Sequence, residues 1–171
     1  MDYETWSGMD LAELDEYIRR GREEWAGHLK AHMPEKMVDR AESAAVWKGL
    51  GLYVLAMKSL GHRCGYVALP ATHPLYRVKY YSPDMPAELL DVHGGITFSM
   101  LIDGWWVLGW DAAHYDDAPD PELLEDASGE TRRILLQGAD GHVWTAGEAF
   151  DETVRFAEQL WSYGVHNGWS E

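Results

Sequence analysis

The chain of 171 residues, 46% of them hydrophobic, is long enough for one domain with a buried core and too short to expect two. Its 29 acidic against 14 basic side chains give a formal net charge of -15, which disfavours the nucleic-acid backbone as a partner. One cysteine, Cys64, excludes an intrachain disulfide and fits a reducing compartment, and no apolar run approaches the roughly 20 residues of a membrane span, so a cytoplasmic protein without a membrane partner is expected.

In chain order, Leu11, Leu14, Ile18, Trp25 and Leu29 repeat at helical steps opposite Glu13, Arg19, Arg20 and Glu23, which predicts an amphipathic helix over residues 9–29. Pro34 in a first turn suggests a second, shorter helix through Ala44, so residues 1–50 read as a helical extension of an α+β core over 51–163. From Leu50 to Leu69, Gly51 and the Leu60-Gly61-His62 turn favour a hairpin, with a continued helix as the alternative. Pro70 and Pro74 then force an irregular segment that carries His73, Tyr76, Arg77 and Lys79. These cations precede a stretch from Tyr80 to Thr131 without Lys or Arg.

The stretch from Asp91 to Asp117 concentrates the unusual chemistry. Two apolar runs flank the turn dipeptide Asp103-Gly104, a hairpin pattern, and alternation places Thr97 and Ser99 on one face with His93. The second strand delivers Asp111 and His114 at its end. Beyond it, Pro119-Asp120-Pro121 marks a loop or short helical turn. Thr145 with Glu148 forms a capping box ahead of Phe150, Val154, Ala157 and Trp161, which predicts a last helix over 147–163. Trp169 in the patternless tail is expected to dock on the body or on another subunit, which keeps a homo-oligomer in view.

Two histidines and a carboxylate, His93, His114 and Asp111, can supply a base, an acid and the group that orients one imidazole. The run Asp111-Ala-Ala-His114-Tyr-Asp116-Asp117 can equally ligate a divalent cation, since imidazole suits zinc or iron and carboxylates add charge. Thr97, Ser99, His73, Tyr76, Arg77, Lys79 and Trp106 are the candidate ligand contacts, with tryptophan walls suited to a nucleobase.

The segments CGYVALP from Cys64, THPLY from Thr72, HGGITFS from His93 and WWVLGWDAAH from Trp105 resemble the motifs of an uncharacterised family of small proteins of bacteriophages and their actinobacterial hosts. The resemblance covers residues 64–163 and departs from the family pattern at Ala112, where the family carries cysteine, so no thiol is needed there.

These readings give an α+β domain with a mainly antiparallel central sheet packed by N- and C-terminal helices. The phage context adds the expectation of an accessory protein acting on a small nucleotide-like ligand, such as a host immune signal. It would cleave a phosphoester by histidine acid–base chemistry, with His93, Asp111 and His114 as catalytic residues. No cofactor is required in that reading, whereas a cation at Asp111, His114 and Asp116 or Asp117 is the open alternative. Two other classes compete: a protein that only sequesters the nucleotide, and an acidic module that docks on a basic protein.

Overall fold

Residues 34–58, 60–137 and 139–170 are described by the structure, a computed structural model, and form an α+β fold around one antiparallel sheet. Its strands are β1 (Ser43–Trp47), β2 (Leu50–Met57), β3 (His62–Leu69), β4 (Phe98–Ile102) and β5 (Trp105–Asp111), in spatial order β1-β2-β3-β5-β4. A separate parallel ladder joins β6 (Asp117–Ala118) to β7 (His142–Val143). Among the described residues three α-helices accompany them: α1 (Glu35–Val38), α2 (Gly129–Leu136) and α3 (Ala146–His166).

Local chemistry explains most of these elements. The β4–β5 hairpin turns where expected, with Asp103 at φ 47° and Gly104 at φ 85°, the left-handed pair that matches strand twist. The hairpin between β2 and β3 forms as the preferred reading required, with seven paired positions from Gly51↔Ala68 to Met57↔His62. The capping box of α3 is complete: Thr145 Oγ1 accepts from Glu148 N while Glu148 Oε2 accepts from Thr145 N. The helix continues to His166, one turn beyond the expected end.

Two expectations are corrected. The helix begun at Pro34 stops at Val38, and Ser43–Trp47 is a strand paired with β2, so the sheet starts inside the stretch read as a helical extension. Pairing with β2 overrides the helical preference of Ala44 and Ala45. Lys48 at φ 47° and Gly49 at φ 73° form the turn that permits it. Helix α2, capped by Ser128, was not foreseen. The helix expected over residues 9–29 lies outside the described residues.

The core lies between the sheet and α3. Leu52, Val54, Val67, Leu69, Leu108 and Trp110 on one sheet face meet Ala149, Phe156, Ala157 and Leu160 of the helix. The opposite face carries Tyr53, Ala68 and Val107 with Met37 of α1. The tail docks on the body, with Trp169 buried against His73 and its indole donating to Thr72 Oγ1 at 3.0 Å. No helix among the described residues is long and apolar enough to cross a membrane.

Candidate functional site

His93, His114 and Asp117 come together where three segments meet beyond the ends of the main sheet. His93 belongs to the loop before β4 rather than to a strand, so it reaches the site without the strand pairing that alternation suggested. Two side chains of α3 hold that loop. Gln159 bonds both backbone polar groups of Asp91, accepting from its N–H at 2.6 Å and donating to its carbonyl at 2.7 Å. Glu152 Oε1 accepts from His93 N at 2.7 Å. The histidine is thereby tied to the best-formed helix of the fold.

His114 follows β5 in a tight loop whose backbone is fixed by two carboxylates. Asp111 Oδ1 accepts from Ala113 N at 3.2 Å, and Asp117 Oδ2 accepts from His114 N at 2.8 Å. Gly94 lets the opposing loop close over this ring: at φ 64°, an added Cβ would lie 1.9 Å from His114 Cε1. The glycines after His93 therefore serve close approach to an imidazole.

Asp117 is the centre of the arrangement. Its side chain is fully buried, while those of His93 and His114 are 26% and 32% exposed. Oδ2 receives His93 Nε2–H at 2.9 Å besides the His114 amide, and Oδ1 receives the Trp144 indole N–H at 2.8 Å. Burial alone would push the carboxyl up, but these donors outweigh it and hold Asp117 below the usual carboxylate range. It is an anion at neutral pH.

The walls are aromatic. Trp144 tilts over His93 with ring centroids 4.6 Å apart, Trp110 meets His93 edge-on at 6.0 Å, and the two histidine rings stand nearly perpendicular at 5.2 Å. Trp110 is seated by Gly65, where a Cβ would lie 2.2 Å from its indole nitrogen, and by Thr153, whose hydroxyl accepts from it at 3.3 Å.

One atom in this site is left over. His114 Nδ1 is buried with no hydrogen-bond partner among the described residues, 3.5 Å from Asp117 Oδ2 and 3.9 Å from Asp111 Oδ1. His93 Nε2, His114 Nδ1 and a carboxylate oxygen of Asp117 lie within 4.8 Å of one another, so the three could hold a metal ion. The separations of 2.9 and 3.5 Å from Oδ2 subtend roughly 90° and 110° at a cation about 2.1 Å from each ligand, which imidazole and carboxylate donors satisfy.

The other candidate residues divide. Asp111 stands beside the cluster, its Oδ2 accepting from Thr97 Oγ1 at 2.7 Å, so those two join the site. Asp116 is exposed and outside it, so of the two adjacent carboxylates left open as cation ligands Asp117 is the one that joins the cluster. His73 is corrected from ligand contact to core: its Nδ1 accepts from Leu75 N and its Nε2 bonds Leu160 O, each at 3.1 Å, leaving neither nitrogen for a ligand. Trp106 is likewise buried, with its indole donating to Val78 O. Ser99 accepts from Tyr80 N, and Tyr76 donates to Gly104 O, so both brace the hairpin. Arg77 and Lys79 line a shallow groove of about 400 Å³ with Tyr81 and Asp84, which includes no member of the cluster. Burial pushes the Cys64 thiol up, which makes it a poor nucleophile.

Sequence reasoning missed Trp144, Glu152, Gln159 and Arg63. Arg63 is buried, donates to both oxygens of Glu42 and to Asp120, and reaches the Trp144 carbonyl at 2.7 Å. An arginine between the Leu60-Gly61-His62 turn and the run from Cys64 to Leu69 was the available signal, because a buried guanidinium requires carboxylate partners. Compared with known proteins, the chain matches no family model, no curated protein and no solved structure.

Proposed function

We propose that the protein is a metal-dependent hydrolase that cleaves a phosphoester in a small nucleotide-like molecule, with a divalent cation of the zinc type bound by His93 Nε2, His114 Nδ1 and Asp117 Oδ2. The observation that carries this reading is the unpartnered, buried His114 Nδ1 facing the same carboxylate oxygen that His93 already engages. A buried polar atom without a partner costs about 1–3 kcal/mol, and a shared cation removes that cost. Three protein ligands leave a coordination position for water, the arrangement of catalytic rather than structural zinc.

A cation held by His93, His114 and Asp117 would supply Lewis-acid polarisation of a phosphoryl oxygen and a more acidic water nucleophile. Asp111, oriented by Thr97 Oγ1 and Ala113 N, would accept the proton of the attacking water as its oxygen forms the new P–O bond, while the ester P–O bond breaks and the departing oxygen takes a proton from solvent. The ligands cannot also serve as general acid and base, so the histidines hold the cation instead of shuttling protons. The resemblance to small bacteriophage proteins supports an accessory role against a nucleotide-type host signal.

A second reading keeps His93 and His114 as a metal-free acid–base pair. It is favoured by the 2.9 Å bond from His93 Nε2 to Asp117, which fixes the tautomer and leaves Nδ1 as the basic nitrogen.

Elemental analysis of protein purified without chelator, followed by assay on a cyclic dinucleotide and an ADP-ribose-type compound, separates the two. The expected result is near-stoichiometric metal, turnover abolished by chelation and restored by the cation, and a loss of about 10²-fold or more in His114→Ala. Turnover that survives chelation supports the acid–base pair. Ligand recovered unchanged at every protein concentration overturns both and supports sequestration.

A further inference from the structure

The two short strands of the parallel ladder carry the centre of the site: Asp117 opens β6, and Trp144, its indole donor, directly follows β7. A two-residue ladder offers little cohesion by itself, so something must fix the segments that leave it. Arg63 of β3 grips both. Its Nη1 donates to Asp120 just past β6 and to the Trp144 carbonyl just past β7. Its backbone carbonyl accepts from Ala112 N at 2.9 Å, holding the start of the Asp111–His114 loop as well.

We infer that Arg63 is a positioning residue for the His93–Asp117 pair, acting through Trp144, which it fixes so that the indole N–H meets Asp117 Oδ1 while the ring covers His93. The inference rests on reading the His93–Asp117–His114 cluster as the reaction centre. Arg63 touches none of those three side chains; its influence passes through the Trp144 backbone and the Asp120 turn. Its bidentate bond to Glu42, with Nε to Oε2 at 2.7 Å and Nη2 to Oε1 at 3.0 Å, anchors the guanidinium to the residue preceding β1. The planar fork reaches these partners at once. A lysine ammonium, a single point of charge on a flexible stem, cannot reproduce that span.

Arg63→Lys and Trp144→Phe are the decisive variants, with Met37→Ala as a control that loosens the packing on the opposite face of the sheet. Two readouts report on the site itself: affinity for cobalt(II), and the slowly exchanging ring N–H proton of His93 held on Asp117, observed by NMR in metal-free protein. Loss of a residue that orients metal ligands typically lowers affinity by about 10–100-fold, and that range is expected for both variants, together with faster exchange or loss of the His93 proton. Met37→Ala should lower thermal stability while leaving the ring proton in place.

A folded Arg63→Lys protein with unchanged cobalt affinity and an unchanged His93 proton overturns the inference. So does a Met37→Ala protein that loses the ring proton to the same extent, because the effect is then general loosening. If Arg63→Lys does not fold, Trp144→Phe decides: retention of both readouts overturns the inference, and their loss upholds the indole route. Wild-type protein that binds no cobalt defeats the metal reading alone, because the ring proton still reports on Arg63.

Discussion

Gly94 and Gly95 show how the absence of one Cβ can decide whether a site exists. Both adopt positive φ, 64° and 84°, where a side chain costs about 1–2 kcal/mol of backbone strain. They differ in surroundings: a Cβ at Gly94 would strike the His114 ring, whereas a Cβ at Gly95 would meet nothing within 4 Å. Gly95→Ala should therefore cost only that strain and leave the site intact. Gly94→Ala should cost a further ~1–3 kcal/mol, as in other overpacked positions, and push the His114 ring away from Asp117. Denaturant unfolding measures the first difference, and cobalt titration the second. Equal affinity in the two variants would show that Gly94 does not set the position of His114.

At the scale of elements, the site depends on α3 holding a loop that has no regular structure of its own. Glu152 supplies the acceptor for His93 N, and its carboxylate is also held by Arg155 through Nε at 2.8 Å and Nη2 at 2.7 Å. Glu152→Ala should cost about 1–2 kcal/mol, since the half-buried His93 amide loses a charged acceptor. Hydrogen exchange at that amide should accelerate while exchange in the middle of α3 stays slow. Protection unchanged at His93 would show that the loop is held by Gln159 alone. This dependence also explains what the sequence made legible. The Asp103-Gly104 turn and the Thr145–Glu148 box are local signals, so the hairpin and α3 could be read directly, and His93 and His114 were recognisable by residue type. Trp144 meets Asp117 across 27 positions, Glu152 meets His93 across 59 and Arg63 meets Trp144 across 81, relations that no local pattern encodes. The choice between Asp116 and Asp117 also needed the fold, because adjacent carboxylates differ only in which one turns inward. Strand β1 was misread for the opposite reason: its alanines carry a helical preference that its pairing with β2 overrides.

For the molecule as a whole, His73 joins parts that the His93–His114–Asp117 cluster does not. It lies in the irregular segment after β3, bonds Leu160 of α3, and packs against Trp169 of the tail with ring centroids 5.0 Å apart. Gly164 makes this seam possible, since a Cβ there would lie 2.8 Å from His73 Nε2. Nδ1 accepts from the Leu75 amide, so Nε2 must carry the proton donated to Leu160 O, and the neutral tautomer is fixed. Burial lowers the pKa of this imidazole, against a smaller opposing effect of the Leu160 bond. The unfolded chain takes up a proton near pH 6.5 and the folded one resists it. Its contribution is therefore complete above about pH 6.5 and is lost as pH falls from there toward the depressed folded value. Asp117, Asp120 and Glu148 are also held below their ordinary range, but their contributions fall away only below about pH 4. Stability measured by denaturant unfolding across this range should thus decline in two separate stages. His73→Gln should remove the upper stage, keep the lower one, and cost about 1–3 kcal/mol at pH 8 because the buried Leu75 amide loses its acceptor. An unchanged upper stage in that variant would assign it to another group and leave His73 as packing alone.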